Sequence, residues 1–414
     1  MSKLPLEGIR ILDLTAYLSA TYMVALLADM GAEVIKIESI QRYDGYRLFS
    51  PTEPGNIEKS SHYNWCNHSK LGITLDLTRP RGVEIFKRMV RISDIVADNF
   101  STRVMANFGL DYPVLSKVNP SIIMLSMPCF GATGPWKDYV GFAHVFEEMS
   151  GAVYLTGYVD GPPMVSATSY PDTNAGINGT FALLTALHQR RRTGRGQYID
   201  LSQTETLTSL LGEVIADYSM NQRNQSRRGN RHPFLAPHGC YRCQGDDRWV
   251  TIAVASEAQW ETLRKLMGDL EWAREERFAT MMSRWQHQDE LNKLIEEWTS
   301  KRDQYELWHL LQKEGIAAGP MLLAQDLIDD PHLNQRGFHT MVDRAVVGAH
   351  PHSCLATSFS KTPGRIRGPA PLLGEHNEWV FGELMGMSQE EIAKLEEEKL
   401  IGKVPVWGAP PSQV

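Results

Sequence analysis

Asp172 is the residue of this sequence best placed to act as a nucleophile. It follows Pro171, and the residues after it predict a helix. A helix N-terminus favours the ionised carboxylate, which is the form that attacks an electrophile. Gly176 and Gly179 lie four and seven residues further on, on the same helical face. Two interpretations stay open: an N-cap aspartate in a closely packed helix, or a nucleophile beside room for a bulky ligand.

His238, Cys240 and Cys243 form a second group with possible chemistry, because H-x-C-x-x-C spacing occurs in zinc sites. A structural zinc site needs a fourth ligand at a compatible spacing, and no second cysteine pair follows in the sequence. We therefore interpret this stretch as a turn and the start of a strand with buried thiols, and predict no metal site.

The turn after the first predicted strand decides whether the chain binds a dinucleotide. Such binding requires G-x-G-x-x-G, because glycines let the backbone approach a pyrophosphate closely. Residues 14–20 read LTAYLSA and contain no glycine, although Glu38 ends the second strand where a ribose-binding acid would stand. The sequence also has no Walker lysine motif. A nicotinamide-dependent dehydrogenase is therefore disfavoured.

Strands and helices alternate along the segments that must position these residues. The predicted strands are 8–14, 33–37, 73–77, 94–97 and 121–127, and the predicted helices are 18–30, 80–91 and 101–108. Repeated strand–helix–strand units form parallel sheets with right-handed crossovers. We therefore predict an α/β fold, with an open, parallel, Rossmann-like sheet that carries helices on both faces.

Changes of pattern further along the chain predict a second domain. We place a large α/β domain at residues 1–220 and a polar, basic linker at 221–232. A smaller α/β domain follows at 233–325. Residues 326–414 are predicted to return to the large domain and to end in a polar tail.

The composition excludes several functional classes. The chain has 414 residues and a net charge of −7, which disfavours nucleic acid as a partner. No apolar run is long enough to span a membrane, and the N-terminus lacks the apolar region of a secretory signal. The five cysteines are few and odd in number, which favours a reducing cytoplasm over a disulfide framework.

A family resemblance is carried by several segments in the same order. They read PLEGIRILDLT, LLADMGAEVIKIE, NHSKLGITLDLTRPRG, ADNFSTRVMANFGLDY, then DGPP with Asp172, Gly176 and TGRGQ, followed by RRGN and DDRWVTIAVAS. Together they resemble the class III CoA-transferase family, which includes formyl-CoA, carnitine and benzylsuccinate CoA-transferases. The same superfamily includes the alpha-methylacyl-CoA racemases. The match covers roughly the first half of the chain and extends beyond it.

The resemblance implies roles for individual residues. The nucleophilic aspartate of the family falls on Asp172. Its CoA-contacting positions fall on Leu18 and Ser19, on Leu75 to Thr78, on Asn99, Phe100 and Ser101, and near Val140 to His144.

The chain also departs from the family pattern. Ser39 stands where formyl-CoA transferases often have arginine, and basic residues are missing near Thr78 and Asn107. We therefore predict that other arginines hold the CoA phosphates, the candidates being Arg42, Arg79 and Arg103. Leu18 replaces a glutamine of the first loop, and the family's glycine-only loop is not found. These differences favour an acid larger and less polar than formate or oxalate.

The activity implied by the resemblance is CoA transfer from an acyl-CoA to a carboxylic acid, through aspartyl anhydride and aspartyl-CoA thioester intermediates. The CoA thioester is then a substrate, and no tightly bound cofactor or metal is expected. The family resemblance also implies an intertwined homodimer, or a heterodimer with a paralogous subunit, with each active site between a large and a small domain.

Two alternatives stay open. An acyl-CoA racemase or epimerase would use His144 and Asp172 to move the α-proton of its substrate. A non-catalytic subunit of a heteromeric CoA-transferase is the other alternative, although the presence of Asp172 disfavours it.

Overall fold

The structure is a computed structural model that describes residues 3–50, 53 and 55–406. The strands are β1 (Arg10–Asp13), β2 (Glu33–Glu38), β3 (Leu71–Thr74), β4 (Ile95–Asp98), β5 (Ile123–Ser126), β6 (Tyr198–Asp200), β7 (His238–Arg242), β8 (Trp249–Ala253), β9 (Ala317–Pro320), β10 (His339–Arg344) and β11 (Gly348–Ser353).

The α-helices are α1 (Ser19–Asp29), α2 (Ser61–Cys66), α3 (Pro80–Arg91), α4 (Val104–Asn107), α5 (Tyr112–Val118), α6 (Ala143–Met149), α7 (Ala152–Leu155), α8 (Tyr170–Thr193), α9 (Gln203–Thr208), α10 (Gly212–Asn221), α11 (Glu257–Leu266), α12 (Met281–Gln286), α13 (Gln288–Thr299), α14 (Gln304–Lys313), α15 (Ala324–Asp329), α16 (Pro331–Gln335) and α17 (Gln389–Glu397). Short 3₁₀ turns at Gly45–Leu48, Ser209–Leu211, Glu271–Arg274 and Glu276–Phe278 and a π-helical turn at Trp379–Leu384 add to them.

The main sheet has six parallel strands in the order β3-β2-β1-β4-β5-β6. The strand order reverses between β1 and β4, and parallel α/β sheets bind ligands outside the carboxyl ends of the strands at such a point. The predicted α/β fold with an open parallel sheet is confirmed. Predicted strand 73–77 lies at Leu71–Thr74, because the chain turns away from the sheet around Asp76, whose side chain accepts a hydrogen bond from the Thr78 amide.

Both faces of this sheet are buried, as the prediction of helices on both faces requires. Ile95 and Ala97 point into one core with Val24 of α1 and Leu183 of α8. Val96 points into the opposite core, which also receives residues of α3, α5 and α17 (Phe86, Leu115 and Leu395). Successive residues of a strand face opposite sides, so two helical layers enclose apolar strands.

The described residues divide into two compact units. One contains the chain up to Ala152, then Val165–Gln222, and the chain from His332 onward. The other consists of Val153–Met164 and Arg223–Pro331. Its core is built on the antiparallel sheet β7-β8-β9, with α11, α13 and α14 supplying Leu263, Ile295 and Leu307.

This second unit differs in extent from the domain expected at 233–325. It includes residues 153–164, which we had assigned to the large domain, and most of the expected linker. The Gly229 amide donates to the Gly157 carbonyl at 2.9 Å, and Arg227 Nε donates to the Gly161 carbonyl at 3.2 Å. These hydrogen bonds join segments about seventy residues apart in the sequence, so local composition does not reveal them.

Two further findings concern membrane-spanning helices and disulfide bonds, which the sequence analysis also considered. Among the described residues, no helix combines the length and the apolar character needed to cross a membrane. All five cysteines are free thiols.

Candidate active site

Asp172 lies in the first turn of α8, as the third residue of the helix. The N-cap position belongs to Ser169, whose backbone is left-handed with φ of 47°, and whose side chain makes no cap hydrogen bond. The interpretation of Asp172 as an N-cap is therefore wrong. The side chain of Asp172 is buried, with a relative exposure of 9%.

The environment of Asp172 raises its pKa to about 7, chiefly through burial and then through the negative charge of Glu147. The backbone N–H groups of Asp172 and Ser19 act in the opposite direction. The sequence led us to expect that the helix N-terminus favours the ionised carboxylate, and the backbone N–H groups do act in that direction, but burial moves the pKa the other way. Loss of solvation and a like charge outweigh the backbone groups at this position.

The two glycines after Asp172 serve helix packing. A Cβ at Gly176 would lie 2.8 Å from the Ser19 carbonyl oxygen, and a Cβ at Gly179 would lie 2.5 Å from the sulfur of Met23. α1 therefore fills the space that the sequence offered to a ligand. The glycines therefore allow α8 to approach α1 closely.

The loop between β1 and α1 is held in place by side chains from three other segments. Asn99 accepts from the Ala16 amide at 2.8 Å and donates to the Ala16 carbonyl at 2.7 Å. Asp44 accepts from the Tyr17 amide at 2.9 Å, and Lys36 donates both to Asp44 and to the Thr15 carbonyl. These contacts fix the loop without the glycines of a dinucleotide-binding turn.

The predicted CoA contacts in this loop differ in accessibility. The Leu18 side chain packs in a small core with Tyr46 and Tyr63 and is 4% exposed, which leaves little of it for a ligand. Ser19 is also buried, and the Asn99 amide lies 3.4 Å from its hydroxyl. Both residues therefore lie beneath the surface of the candidate site and contribute to its packing.

The other predicted contacts lie after the strands β3 and β4. Leu75 is buried, Thr78 is exposed, and Asn99, Phe100 and Ser101 are half-buried. Phe100 and Ser101 line a cavity of about 330 Å³, together with Asp98, Ser126 and Tyr198 among others. Burial raises the pKa of Asp98 to about 6, and its carboxylate accepts from the Ser126 hydroxyl at 2.7 Å.

The three candidate phosphate ligands, Arg42, Arg79 and Arg103, are all exposed. Arg79 Nη1 donates to the Glu398 carbonyl at 2.6 Å. Arg47, five residues after Arg42, is by contrast fully buried and ion-paired with Glu38 at 2.9 Å and Glu58 at 2.8 Å. Its guanidinium is therefore held inside the protein core by these ion pairs.

Helix α6 carries one residue that we predicted and one that we missed. His144 is exposed, whereas Glu147, one turn later, is buried at 5% exposure. Glu147 Oε1 accepts from the Ser166 amide at 2.9 Å, and its charge acts on Asp172. No local signal separates Glu147 from its exposed neighbour Glu148, because the burial comes from the packing of α6 against α8 and α9.

Three aromatic residues and one cysteine also belong to the candidate site. Tyr17, with φ of 60°, makes edge contacts with Tyr46 at 5.6 Å and with the exposed Phe142 at 5.5 Å between ring centroids. Burial is the main cause that raises the pKa of Tyr46, with smaller contributions from Cys66 and Asp172. Burial, and to a smaller extent the charge of Asp172, raise the pKa of the Cys129 thiol to about 11. Both groups are therefore neutral near pH 7.

The H-x-C-x-x-C segment forms β7 and its end. Cys240 Sγ lies 3.5 Å from the sulfur of Met321, and Cys243 is buried in the core of the second unit. In the part of the chain that the structure describes, no group of three or more His, Cys, Asp or Glu side chains could hold a metal ion.

Comparison with known proteins gives consistent results. Residues 6–377 match the model of CoA-transferase family III. The chain is 33% identical over 400 residues to the succinyl-CoA–D-citramalate CoA-transferase of Chloroflexus aurantiacus, covering 96% of this chain and 98% of that protein. It is 32% identical over 406 residues to the beta subunit of the succinyl-CoA–L-malate CoA-transferase of the same organism, again covering 96% and 98%. A crystal structure of a CAIB/BAIF family protein from Brucella suis has a TM-score of 0.85 and 30% identity, covering 92% of this chain and 100% of that one.

Proposed function

Because the chain belongs to CoA-transferase family III, we propose that it moves CoA from an acyl-CoA to a free carboxylic acid, with Asp172 as the nucleophile. The observation that carries this proposal is the buried Asp172 carboxylate in the first turn of α8. It lies on α8, whose Gly179 faces Met127 just after the carboxyl end of β5, and ligands of parallel sheets bind outside such ends.

The reaction begins when an Asp172 oxygen attacks the thioester carbon of the donor. The carbon–sulfur bond breaks, which leaves an aspartyl–acyl anhydride and CoA thiolate. The thiolate then attacks the aspartyl carbonyl, so the donor acid leaves and an aspartyl-CoA thioester remains. The acceptor carboxylate attacks that thioester, which releases CoA thiolate and leaves an anhydride between Asp172 and the acceptor. The thiolate then attacks the acceptor acyl carbon of this anhydride. The new acyl-CoA leaves with Asp172 restored, and covalent catalysis has kept the thioester energy.

Burial of Asp172 serves this chemistry in two ways. An ionised carboxylate with a raised pKa is a stronger base, and hence a stronger nucleophile, than one in water. Exclusion of water also protects the anhydride from hydrolysis, which would waste the donor. The charge that attack requires develops as the pH rises through the pKa of Asp172, which is about 7.

For the donor we propose succinyl-CoA, and for the acceptor a dicarboxylic or hydroxy-dicarboxylic acid larger than oxalate. Two relatives that align with 96% of this chain are named for succinyl-CoA, with D-citramalate or L-malate as the second acid. The replacement of the family's glutamine by Leu18 agrees with an acceptor other than formate or oxalate. The presence of Leu18 also predicts an acceptor less polar than formate or oxalate, and this stays a prediction.

We also propose that the working enzyme is a dimer, of two identical chains or of this chain and a paralogue. Ile177, Phe181 and Leu184 on α8 are exposed by 56%, 72% and 43%. They recur at helical spacing, and such an apolar surface is typical of a protein interface. One relative is itself named as a beta subunit. Native mass measurement of the purified chain, alone and with candidate paralogues, tests this assembly.

Trapping of the acyl-enzyme tests the function directly. Wild-type protein is mixed with succinyl-CoA and no acceptor, then treated with hydroxylamine, and the peptide containing Asp172 is examined by mass spectrometry. We expect a hydroxamate on Asp172 in the wild type and none in Asp172→Asn, whose transferase activity falls by several orders of magnitude. Near-normal turnover by a folded Asp172→Asn variant would overturn the mechanism.

The same preparation distinguishes transfer from racemisation. A transferase requires a second acid and keeps an α-deuterium label on its acyl-CoA. A racemase exchanges that label with solvent without any acceptor. Rapid washout that is lost in His144→Ala would replace our proposal with the racemase alternative.

A further inference from the structure

Tyr17 has a strained backbone in the loop between β1 and α1. Its φ is 60°, a left-handed conformation that residues other than glycine and asparagine rarely adopt. Such strain persists only where the surrounding structure imposes it, and it clusters at functional sites. Here Asp44 accepts from the Tyr17 amide at 2.9 Å, and the lack of a side chain at Gly45 leaves room for the phenol ring. The residue is still 38% exposed, so the loop presents a fixed aromatic surface.

The packing of α1 against α8 shows where this loop lies relative to Asp172. A Cβ at Gly176 would lie 2.8 Å from the Ser19 carbonyl oxygen. Further along both helices, the Thr180 hydroxyl lies 3.5 Å from the Met23 carbonyl oxygen. The contacting residues advance together along the chain, so the two helices run in the same direction where they touch.

Asp172 and Tyr17 both lie just before these contacts. Asp172 precedes Gly176 by one helical turn, about 6 Å along the axis at 1.5 Å per residue, and Tyr17 precedes Ser19 by two residues. The register of α1 and α8 therefore sets Asp172 beside the loop that carries Tyr17. In that loop the Leu18 side chain points into the core, whereas the Tyr17 ring is accessible to a ligand.

Two further rings extend the aromatic surface of Tyr17. Its ring makes edge contacts with Tyr46 at 5.6 Å and with Phe142 at 5.5 Å between centroids. Phe142 is 64% exposed, and Tyr46 is buried. Burial, followed by nearby groups that include Asp172, raises the pKa of Tyr46, which agrees with the placement of Asp172 beside this loop. Among the described residues, no arginine or lysine stacks on any of these three rings, so the surface offers an apolar contact rather than a charged one.

We propose that Tyr17 is a specificity-determining residue, whose ring packs against an aromatic or bulky apolar group of the acid that exchanges CoA at Asp172. The proposal rests on the proposed role of Asp172 in CoA transfer. The selected acid reacts through its carboxylate and is recognised through its apolar group.

The physical basis is the removal of apolar surface from water. An apolar group placed against the exposed rings of Tyr17 and Phe142 leaves water together with them, and an aromatic group adds edge or offset ring contacts. A hydroxyl or a second carboxylate at the same place would lose its water without gaining a partner. The surface therefore discriminates in favour of apolar substituents, and the fixed backbone of Tyr17 limits the ordering that binding requires.

Tyr17→Asn tests the proposal because it removes the ring and introduces a residue that tolerates the left-handed backbone. Tyr17→Phe is the conservative variant, which keeps the ring. Tyr218→Asn is the matched control, since Tyr218 is an exposed tyrosine on α10 that contacts none of the three rings. Phe142→Ala removes the other exposed ring without touching the strained loop, so the test stays decisive if Tyr17→Asn folds poorly. Thermal unfolding establishes that each variant is folded.

The first readout is binding and is independent of turnover. Glutarate and 3-phenylglutarate, which differ by one phenyl ring, are titrated by calorimetry into protein that holds free CoA. We expect the wild type, Tyr17→Phe and Tyr218→Asn to bind the phenyl acid about tenfold or more tightly than glutarate. This preference should disappear in Tyr17→Asn and shrink in Phe142→Ala, while glutarate binds all five proteins equally. A wild type without the preference, or a preference that both ring-deleting variants keep, would overturn the proposal.

The second readout is kcat/KM for transfer from succinyl-CoA to the same two acids, whose ratio should follow the binding preference from variant to variant. A preference that depends on Tyr17, in a protein forming no adduct on Asp172, would overturn the proposed function and leave the recognition by Tyr17 standing. An adduct on Asp172 without a preference that depends on Tyr17 would do the reverse. A changed native mass of Tyr17→Asn with an unchanged acid preference would also overturn the proposal, because it would assign the rings to a contact between subunits.

Discussion

The side-chain amide of Asn99 binds both backbone polar groups of Ala16, accepting from its N–H at 2.8 Å and donating to its carbonyl at 2.7 Å. Asn99 follows the end of β4, and Ala16 lies in the loop after β1, so the pair spans the point where the strand order reverses. The loop leads directly into Ser19, the first residue of α1, whose backbone N–H lowers the pKa of Asp172. Asn99 therefore supports the nucleophile through the backbone of this loop.

Replacing Asn99 by Ala should lower kcat more than it raises the KM for acyl-CoA. The substitution removes two hydrogen bonds, each worth about 0.5–1.5 kcal/mol, and loosens the loop that carries Ser19. Steady-state kinetics and thermal unfolding measure both effects, with Asn107→Ala at an exposed position as the control. A large rise in KM with unchanged kcat would instead show direct contact between Asn99 and CoA.

Asp172→Asn should stabilise the protein at alkaline pH while it abolishes transfer. Folding raises the pKa of Asp172 from 3.8 to about 7, so folding favours the protonated form. Its contribution to stability is greatest below about pH 4 and is lost as the pH rises through 7. The neutral amide avoids this loss, which amounts to at most about 4 kcal/mol at about 1.4 kcal/mol per pKa unit.

Urea unfolding of both proteins at about pH 5 and pH 8 measures this difference. The gain in the free energy of unfolding from Asp172→Asn should be larger at the higher pH. A gain that is the same at both pH values would contradict the raised pKa.

At least one of Arg42, Arg79 and Arg103 should contribute to acyl-CoA binding. A charge-assisted phosphate contact is worth about 1.5–3 kcal/mol, so its removal by alanine should raise the KM for acyl-CoA by about tenfold or more. The KM for the free acid should change little, since the acid carries no CoA phosphate. Arg47→Ala is the contrasting variant, because loss of its buried ion pairs with Glu38 and Glu58 should destabilise the fold. Unchanged acyl-CoA KM values in all three exposed variants would refute this assignment.

Gly176→Ala should impair both packing and catalysis. The added Cβ would lie 2.8 Å from the Ser19 carbonyl oxygen, a backbone atom of α1, so the two helices must shift apart. We expect a loss of about 1–3 kcal/mol in stability and a fall in kcat. Gly212→Ala, where nothing lies within 4 Å of the added Cβ, is the helical control and should leave kcat unchanged. Normal kcat in Gly176→Ala would show that the spacing of α1 and α8 does not position Asp172.

The amino-acid sequence by itself determined two things: the alternation of strands and helices in the large unit, and the family to which the chain belongs. Short apolar runs such as ILDL and EVIKI alternate with amphipathic stretches, and both patterns depend only on local periodicity. The α/β prediction and the family resemblance were therefore correct. The location of Asp172 in the first turn of a helix was also evident, because Pro171 and the following residues are a local signal.

Only the tertiary structure decided the chemistry around Asp172. Its pKa rises because distant segments bury it and place Glu147 close to it, and no local pattern encodes that desolvation. Gly176 has the same appearance in the sequence whether a ligand or a helix occupies the adjacent space, and here α1 occupies it. The Asn99–Ala16 pair joins residues 83 positions apart. Electrostatic and packing energies depend on distance in space, whereas periodicity and capping depend on distance along the chain.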